Sequence, residues 1–147
     1  MNVTFLPTSS TTLTKNALLT VNVNAPALPA SVSLTGTIIV PTFTLSQTAL
    51  NFGTVIRPGT STQSVTLTNG PNAPLVITGL AIGGASPGQF SQTNTCAPFP
   101  ATMPANGTCT INVTFTPTQL GTKSGVLTVR VAAPATNQTA TLTGVGQ

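Results

Sequence analysis

The residues able to do covalent or coordination chemistry are few. The chain has two cysteines, Cys96 and Cys109, and no histidine, aspartate or glutamate. Two thiols can join as a disulfide, stay as buried free thiols, or offer a pair of metal ligands. Zinc wants four ligands, and no further Cys and no His exists to complete such a set. Calcium needs carboxylate oxygens and is equally poorly served. Serine is plentiful, but a serine nucleophile needs a base, and only Lys15 and Lys123 could act as one. Both follow a threonine in matching surroundings at a turn, where a solvated side chain is the expectation. The sequence therefore assigns no catalytic, metal or cofactor-binding residue, and the chain reads as a protein that is not an enzyme.

A chain of 147 residues with ordinary composition would carry on the order of 15 acids. With none, and without histidine, almost nothing titrates between about pH 4 and pH 8 except the chain termini and any free thiol. Acid unfolding works mainly by protonating paired carboxylates and charging buried histidines, so a fold nearly indifferent to acid is expected. The isoelectric point near 10.1 reflects missing acids, since Lys15, Arg57, Lys123 and Arg130 are the four charges and lie scattered. Nucleic-acid binders cluster Lys and Arg, often with stacking aromatics; neither is present, and no nucleic-acid partner is expected. Four Asn-X-Thr patterns, at Asn2, Asn106, Asn112 and Asn137, leave glycans open.

Strands must position these residues. Cys109-Thr110-Ile111-Asn112-Val113-Thr114-Phe115-Thr116-Pro117 alternates strictly, with Cys109, Ile111, Val113 and Phe115 on one face. Period two over that length is a half-buried β-strand ended by proline. The chain opens on the same pattern, Asn2-Val3-Thr4-Phe5-Leu6-Pro7. The likeness continues in order: Thr14-Lys15 with Ala17 to Val23 matches Thr122-Lys123 with Gly125 to Val131, Ala25-Pro26-Ala27 matches Ala133-Pro134-Ala135, and Leu34-Thr35-Gly36 matches Leu142-Thr143-Gly144. This is an internal repeat of about one domain length. Met1 falls at the place of Ile111, as expected of an internal residue of a longer chain.

A complete copy is expected over residues 41–147, and residues 1–40 are expected to hold the last three strands of a preceding copy: Asn2 to Leu6, Ala17 to Val23 and Ser31 to Gly36. In the complete copy, strands are expected at Thr42 to Ser46, Ala49 to Gly53, Ser64 to Asn69, Leu75 to Ile82, Cys109 to Thr116, Thr122 to Val131 and around Leu142 to Gly144. Leu75 to Ile82 is the most apolar and should be central. Phe90 should plug the core from a short or irregular segment, and a Pro-rich loop should fill the space between Cys96 and Gly107. Seven or so short strands with regular turns and no helical periodicity read as an all-β, immunoglobulin-like β-sandwich, preceded by a three-strand half repeat. No apolar run reaches membrane-span length, since Thr37 to Val40 and Leu75 to Ile82 are strand-length. The start shows no signal-peptide pattern.

These residues resemble a known family. Asn51-Phe52-Gly53 after a leucine, Val65-Thr66-Leu67-Thr68-Asn69, Cys109 to Pro117 and Thr141-Leu142-Thr143-Gly144 together look like the abnormal-spindle/hydin-type (ASH) immunoglobulin-like repeat, and more narrowly its bacterial choice-of-anchor D version. The resemblance covers residues 41–147 fully and 1–40 as a half repeat. It implies tandem arrays in large secreted or surface proteins, no catalytic residues, and a disulfide between Cys96 and Cys109. Closing a loop of that size is worth roughly 3 kcal/mol in the chain-entropy model, and a disulfide belongs to an oxidising compartment.

The expected function is that of a non-catalytic structural module of an extracellular bacterial fibre, stalk or tandem-repeat surface protein. The outward faces of its strands are Thr, Ser, Asn and Gln, without the charges that keep monomers dispersed and edges guarded. Expected partners are copies of itself or adjacent repeats of the same chain, joined by strand complementation. An adhesin or carbohydrate-binding module is an alternative, weakened by the absence of Trp and Tyr, the usual stacking anchors. A spacer domain of a secreted enzyme is another.

Overall fold

The computed structural model describes residues 3–6, 14–24, 26–96 and 98–147. The chain divides into two compact units, Met1–Val40 and Pro41–Gln147. Each is described by itself.

The first unit contains an antiparallel hairpin of β1 (Thr14–Val21) and β2 (Ala30–Thr37). Val3 to Leu6 form no strand. The alternation there is strand-like, but the counterpart stretch in the second unit pairs with a strand on each side, and neither strand is found among the described residues of the first unit. A strand without ladder partners leaves its amides to water. The expected start of that strand, Asn2, lies outside the described residues. Ile38 to Val40 continue past β2 without pairing.

The second unit is a sandwich of nine strands: β3 (Phe43–Leu45), β4 (Ala49–Val55), β5 (Ser61–Asn69), β6 (Leu75–Gly83), β7 (Phe90–Asn94), β8 (Ala101–Met103), β9 (Thr108–Phe115), β10 (Gly121–Val131) and β11 (Gln138–Gly146). One sheet has the order β4-β11-β10-β6-β8 and the other β3-β5-β9-β7. The opening strand switches sheets: β3 pairs antiparallel with β5, and a few residues later β4 pairs parallel with β11. The inward residues follow the alternation. Val65 and Leu67 of β5, Ile111, Val113 and Phe115 of β9, Leu127 and Val129 of β10, and Leu142 of β11 are fully buried. Three of the six phenylalanines meet at one end of the core, with the Phe115 ring centroid 5.8 Å from that of Phe52 and 5.0 Å from that of Phe90.

Phe90 plugs the core from a short segment, as expected: it opens the five-residue strand β7, paired with β9 from Phe90↔Phe115 to Asn94↔Ile111. Two expectations need correction. The stretch after Cys96 is not wholly loop, because β8 pairs with Leu75–Ile77. And β6 is not central. Its one long partner is β10, and beyond it lies only the three-residue β8. Its continuous apolar run has another cause. The β6–β10 ladder slips between Arg130 and Val131, so that Leu75 and Ile77 face the core before the slip and Leu80 and Ile82 after it. A bulge of this kind moves the inward set from odd to even positions.

Candidate functional site

The hairpins of the two units are the same object. Each of the eight registered pairs of β1–β2 coincides with a pair of β10–β11 when 108 is added to both numbers; Lys15↔Gly36 becomes Lys123↔Gly144, and Val21↔Ala30 becomes Val129↔Gln138. The packing over the hairpin repeats too. A Cβ built on Gly144 would lie 2.5 Å from the Phe115 ring, and a Cβ built on Gly36 would lie 2.5 Å from the Phe5 ring. In both units, then, a phenylalanine from the preceding segment lies flat on a glycine of the last strand. The difference is what surrounds it. Phe115 is fully buried, whereas Phe5 is half exposed and borders a cavity of about 460 Å³, with Ala17 and Leu34 among its lining.

Cys96 and Cys109 are joined as a disulfide with an S–S distance of 2.00 Å and a Cα–Cα distance of 5.2 Å. No thiol remains for nucleophilic or metal chemistry, since the chain has no other cysteine. The bridge closes a detour: the chain leaves the second sheet after β7, adds β8 to the first sheet, and returns to the second sheet as β9. Thr95 extends the β7–β9 ladder toward the bridge, donating its N–H to the Thr110 carbonyl at 3.0 Å and accepting the Thr110 N–H on its own hydroxyl.

The lysines lie within strands rather than at turns, each half-buried opposite a glycine. Lys123 Nζ donates to the Leu120 carbonyl at 2.8 Å, and Arg57 Nη1 to the Thr118 carbonyl at 2.8 Å. Among the described residues no group of three or more His, Cys, Asp or Glu side chains comes together, and no helix is long and apolar enough to cross a membrane.

Of the Asn-X-Thr patterns, Asn106 stands on an exposed turn with φ +60°, and Asn137 is exposed with its Oδ1 accepting the Val131 N–H. Asn112 is tied into the outer face of the second sheet, where its Oδ1 accepts the Ser64 hydroxyl at 2.7 Å. Next to it the Thr62 and Thr114 hydroxyls are 2.9 Å apart. Asn2 lies outside the described residues. One polar residue that carries weight was hidden among core positions. Asn69 is buried, and its amide group donates to the carbonyls of Ala73, Met103 and Pro104 at 3.0, 3.2 and 2.9 Å. It thereby ties the turn after β5 to the strand that the disulfide detour adds. Its signal in the sequence is a polar side chain at the inward parity of Val65 and Leu67.

Residues 40–147 match the family model described as Cep192 domain 4. The chain belongs to the Cep192 domain 4 family. Its second unit is thus an immunoglobulin-like, PapD-like β-sandwich of the ASH kind, as the resemblance implied. The first unit lies almost wholly outside the match. No curated protein matches the chain. Among solved structures, the PapD-like domain 7 of human CEP192 is 14% identical, with a TM-score of 0.51, over 71% of this chain and 84% of that one. The secreted serine protease VesC of Vibrio cholerae is 18% identical, TM-score 0.52, over 71% of this chain but 23% of the protease. The VesB protease of Vibrio cholerae is 22% identical, TM-score 0.56, over 70% and 31%. The chain therefore spans less than a third of the length of either protease. At such identities these likenesses establish the fold.

Proposed function

We propose that this Cep192 domain 4 family member is a non-catalytic structural module of an extracellular bacterial fibre, stalk or surface protein of the choice-of-anchor D kind. Its repeats stand end to end, and neighbouring repeats complete one another with strands. The observation that carries this reading is the hairpin of residues 14–37. It keeps the register of the closing hairpin of a complete repeat, yet its apolar face is open. An isolated two-stranded hairpin is marginal in water and needs packing against further strands. The disulfide supports an oxidising compartment. The neutral outer faces, with Thr and Ser ladders in place of charges, support close stacking without like-charge repulsion. Residues 1–40 are then the closing part of one repeat and residues 41–147 the next.

Electron microscopy of the native material tests this. Continuous filaments or rows of evenly spaced units are the expected result. Discrete, separate particles would overturn it. A second reading has its own support, since the same fold stands inside two proteases of Vibrio cholerae, the secreted VesC and VesB. In that reading the unit spaces a catalytic domain from its attachment. A native polypeptide whose mass and peptide map include a catalytic domain would favour it over the fibre.

A further inference from the structure

In the second unit the closing strands supply Val113, Phe115, Leu127, Val129, Ala140 and Leu142, all 0% exposed. Their counterparts at the open face of the first unit include Val3, Phe5, Val21 and Val32, which are 55%, 45%, 44% and 57% exposed, with Leu19 and Leu34 half-buried. Apolar side chains aligned on one sheet face form a half-core rather than scattered surface residues, and three of them, Val3, Phe5 and Leu34, border the cavity of about 460 Å³. The second unit shows what chemistry fills such a half-core: β4 and β7 bring Phe52 and Phe90 against Phe115, and β4 and β5 bring Leu50, Val65 and Leu67.

We propose that the open face formed by residues 3–6, 14–21 and 30–36 is a docking surface for the opening half of a different immunoglobulin-like repeat, one that inserts apolar side chains beside Phe5 and carries a residue smaller than phenylalanine at the place of Phe90. This rests on the reading that repeats complete one another, and it names the partner. The size limit comes from Ala17. Its counterpart is Gly125, where an added Cβ would lie 3.1 Å from Phe90 Cδ2 and 3.3 Å from the Gly83 carbonyl oxygen. The methyl of Ala17 already occupies that space. Val32 likewise stands where the complete unit has the smaller Ala140. The chain's own opening half is therefore a usable but oversized filler.

The test adds a second copy of residues 41–112 directly ahead of Val3, giving the first unit an opening half in register. Phe5→Trp places a single tryptophan in a chain that has no Trp and no Tyr. Its emission should be that of an exposed indole in the unfused chain and should shift to the blue in the fusion. Amide exchange of residues 14–21, measured on the fusion with Phe5 retained, should slow at least tenfold, which gives the same answer without the substitution. Replacing Phe90 of the added copy by Leu should raise the midpoint of the unfolding followed by this tryptophan. With Ala17→Gly in place the same replacement should lower it. An exposed emission and unprotected amides in the fusion overturn the proposal. So does a blue shift of the unfused chain that grows with protein concentration, because a second copy would then be the occupant. So does a Phe90→Leu effect independent of residue 17. Separate particles in the micrographs together with a blue-shifted fusion would remove the fibre and leave the docking surface standing.

Discussion

Asn69 shows how one side chain can join two loops. Its amide group faces three carbonyl oxygens, while its own Oδ1 is buried without a protein partner. Asn69→Ala takes this donor from the Ala73 and Met103 carbonyls, while the Pro104 carbonyl keeps the Gly107 N–H, and a stranded buried acceptor costs about 1–3 kcal/mol; a chemical-denaturation midpoint lowered by that amount is expected. Asn69→Asp is sharper. An ionised carboxylate there would be desolvated and would face carbonyl oxygens, and both effects favour the neutral acid and raise its folded pKa above the unfolded value. Between those two pKa values the folded state binds more protons than the unfolded chain, so stability falls as pH rises through that window. The variant should be more stable at pH 3.5 than at pH 7, and a denaturation midpoint that rises with pH would disprove this account. Sequence alternation made Asn69 visible as an inward position but could not supply its partners, because Met103 and Pro104 come from the far side of the disulfide detour.

Strands with plain alternation were legible in the sequence: β5, β9, β10 and the β1–β2 hairpin appear where period two and the flanking turn residues place them. The strands that were missed or misjudged are those whose pairing depends on distant partners. β8 is three residues long and exists because Leu75–Ile77 offer it an edge. β7 reads as a short or irregular segment because Ser91, Gln92 and Thr93 are all polar, and the register with β9 makes it a short strand. β6 looks like a fully buried central strand because its bulge interleaves two inward sets. The disulfide acts at this scale. With a separation of 13 residues it is worth roughly 3 kcal/mol by the chain-entropy argument. Cys96→Ala with Cys109→Ala should lower global stability by about that much. Amide exchange should speed up first in residues 101–103 and 95–96, while the β5–β9 ladder keeps its ranking as the slowest. Equal acceleration across both sheets would mean that the bridge constrains the whole unit rather than the detour.

The chain as a whole carries four cations and no acids, and that sets its response to the medium. A fold loses stability in acid when carboxylates held ionised in the folded state must be protonated, or when neutral buried histidines must charge. This molecule has neither group, and its two cysteines are bonded. From pH 8 down to about 4, folded and unfolded chains therefore bind the same number of protons apart from the terminal groups, and the slope of stability against pH is close to zero. Surface ion pairs cannot supply a salt dependence either, since no Asp or Glu exists to form one. Scanning calorimetry should give melting temperatures within a few degrees of each other at pH 7 and pH 4 and in low and high sodium chloride, whereas a fall of ten degrees or more on acidification would mean that a titrating interaction has been overlooked. The Asn69→Asp chain is the internal control, because one carboxylate should restore a measurable slope. The same property bears on assembly. Outer faces built of Thr, Ser, Asn and Gln keep their hydrogen-bonding capacity and their near-neutral charge over this whole range. Contacts between them, and the apolar capture proposed for residues 3–6, 14–21 and 30–36, should hold in surroundings whose acidity and ionic strength vary. Proteins that assemble through charged patches lose contacts under those conditions.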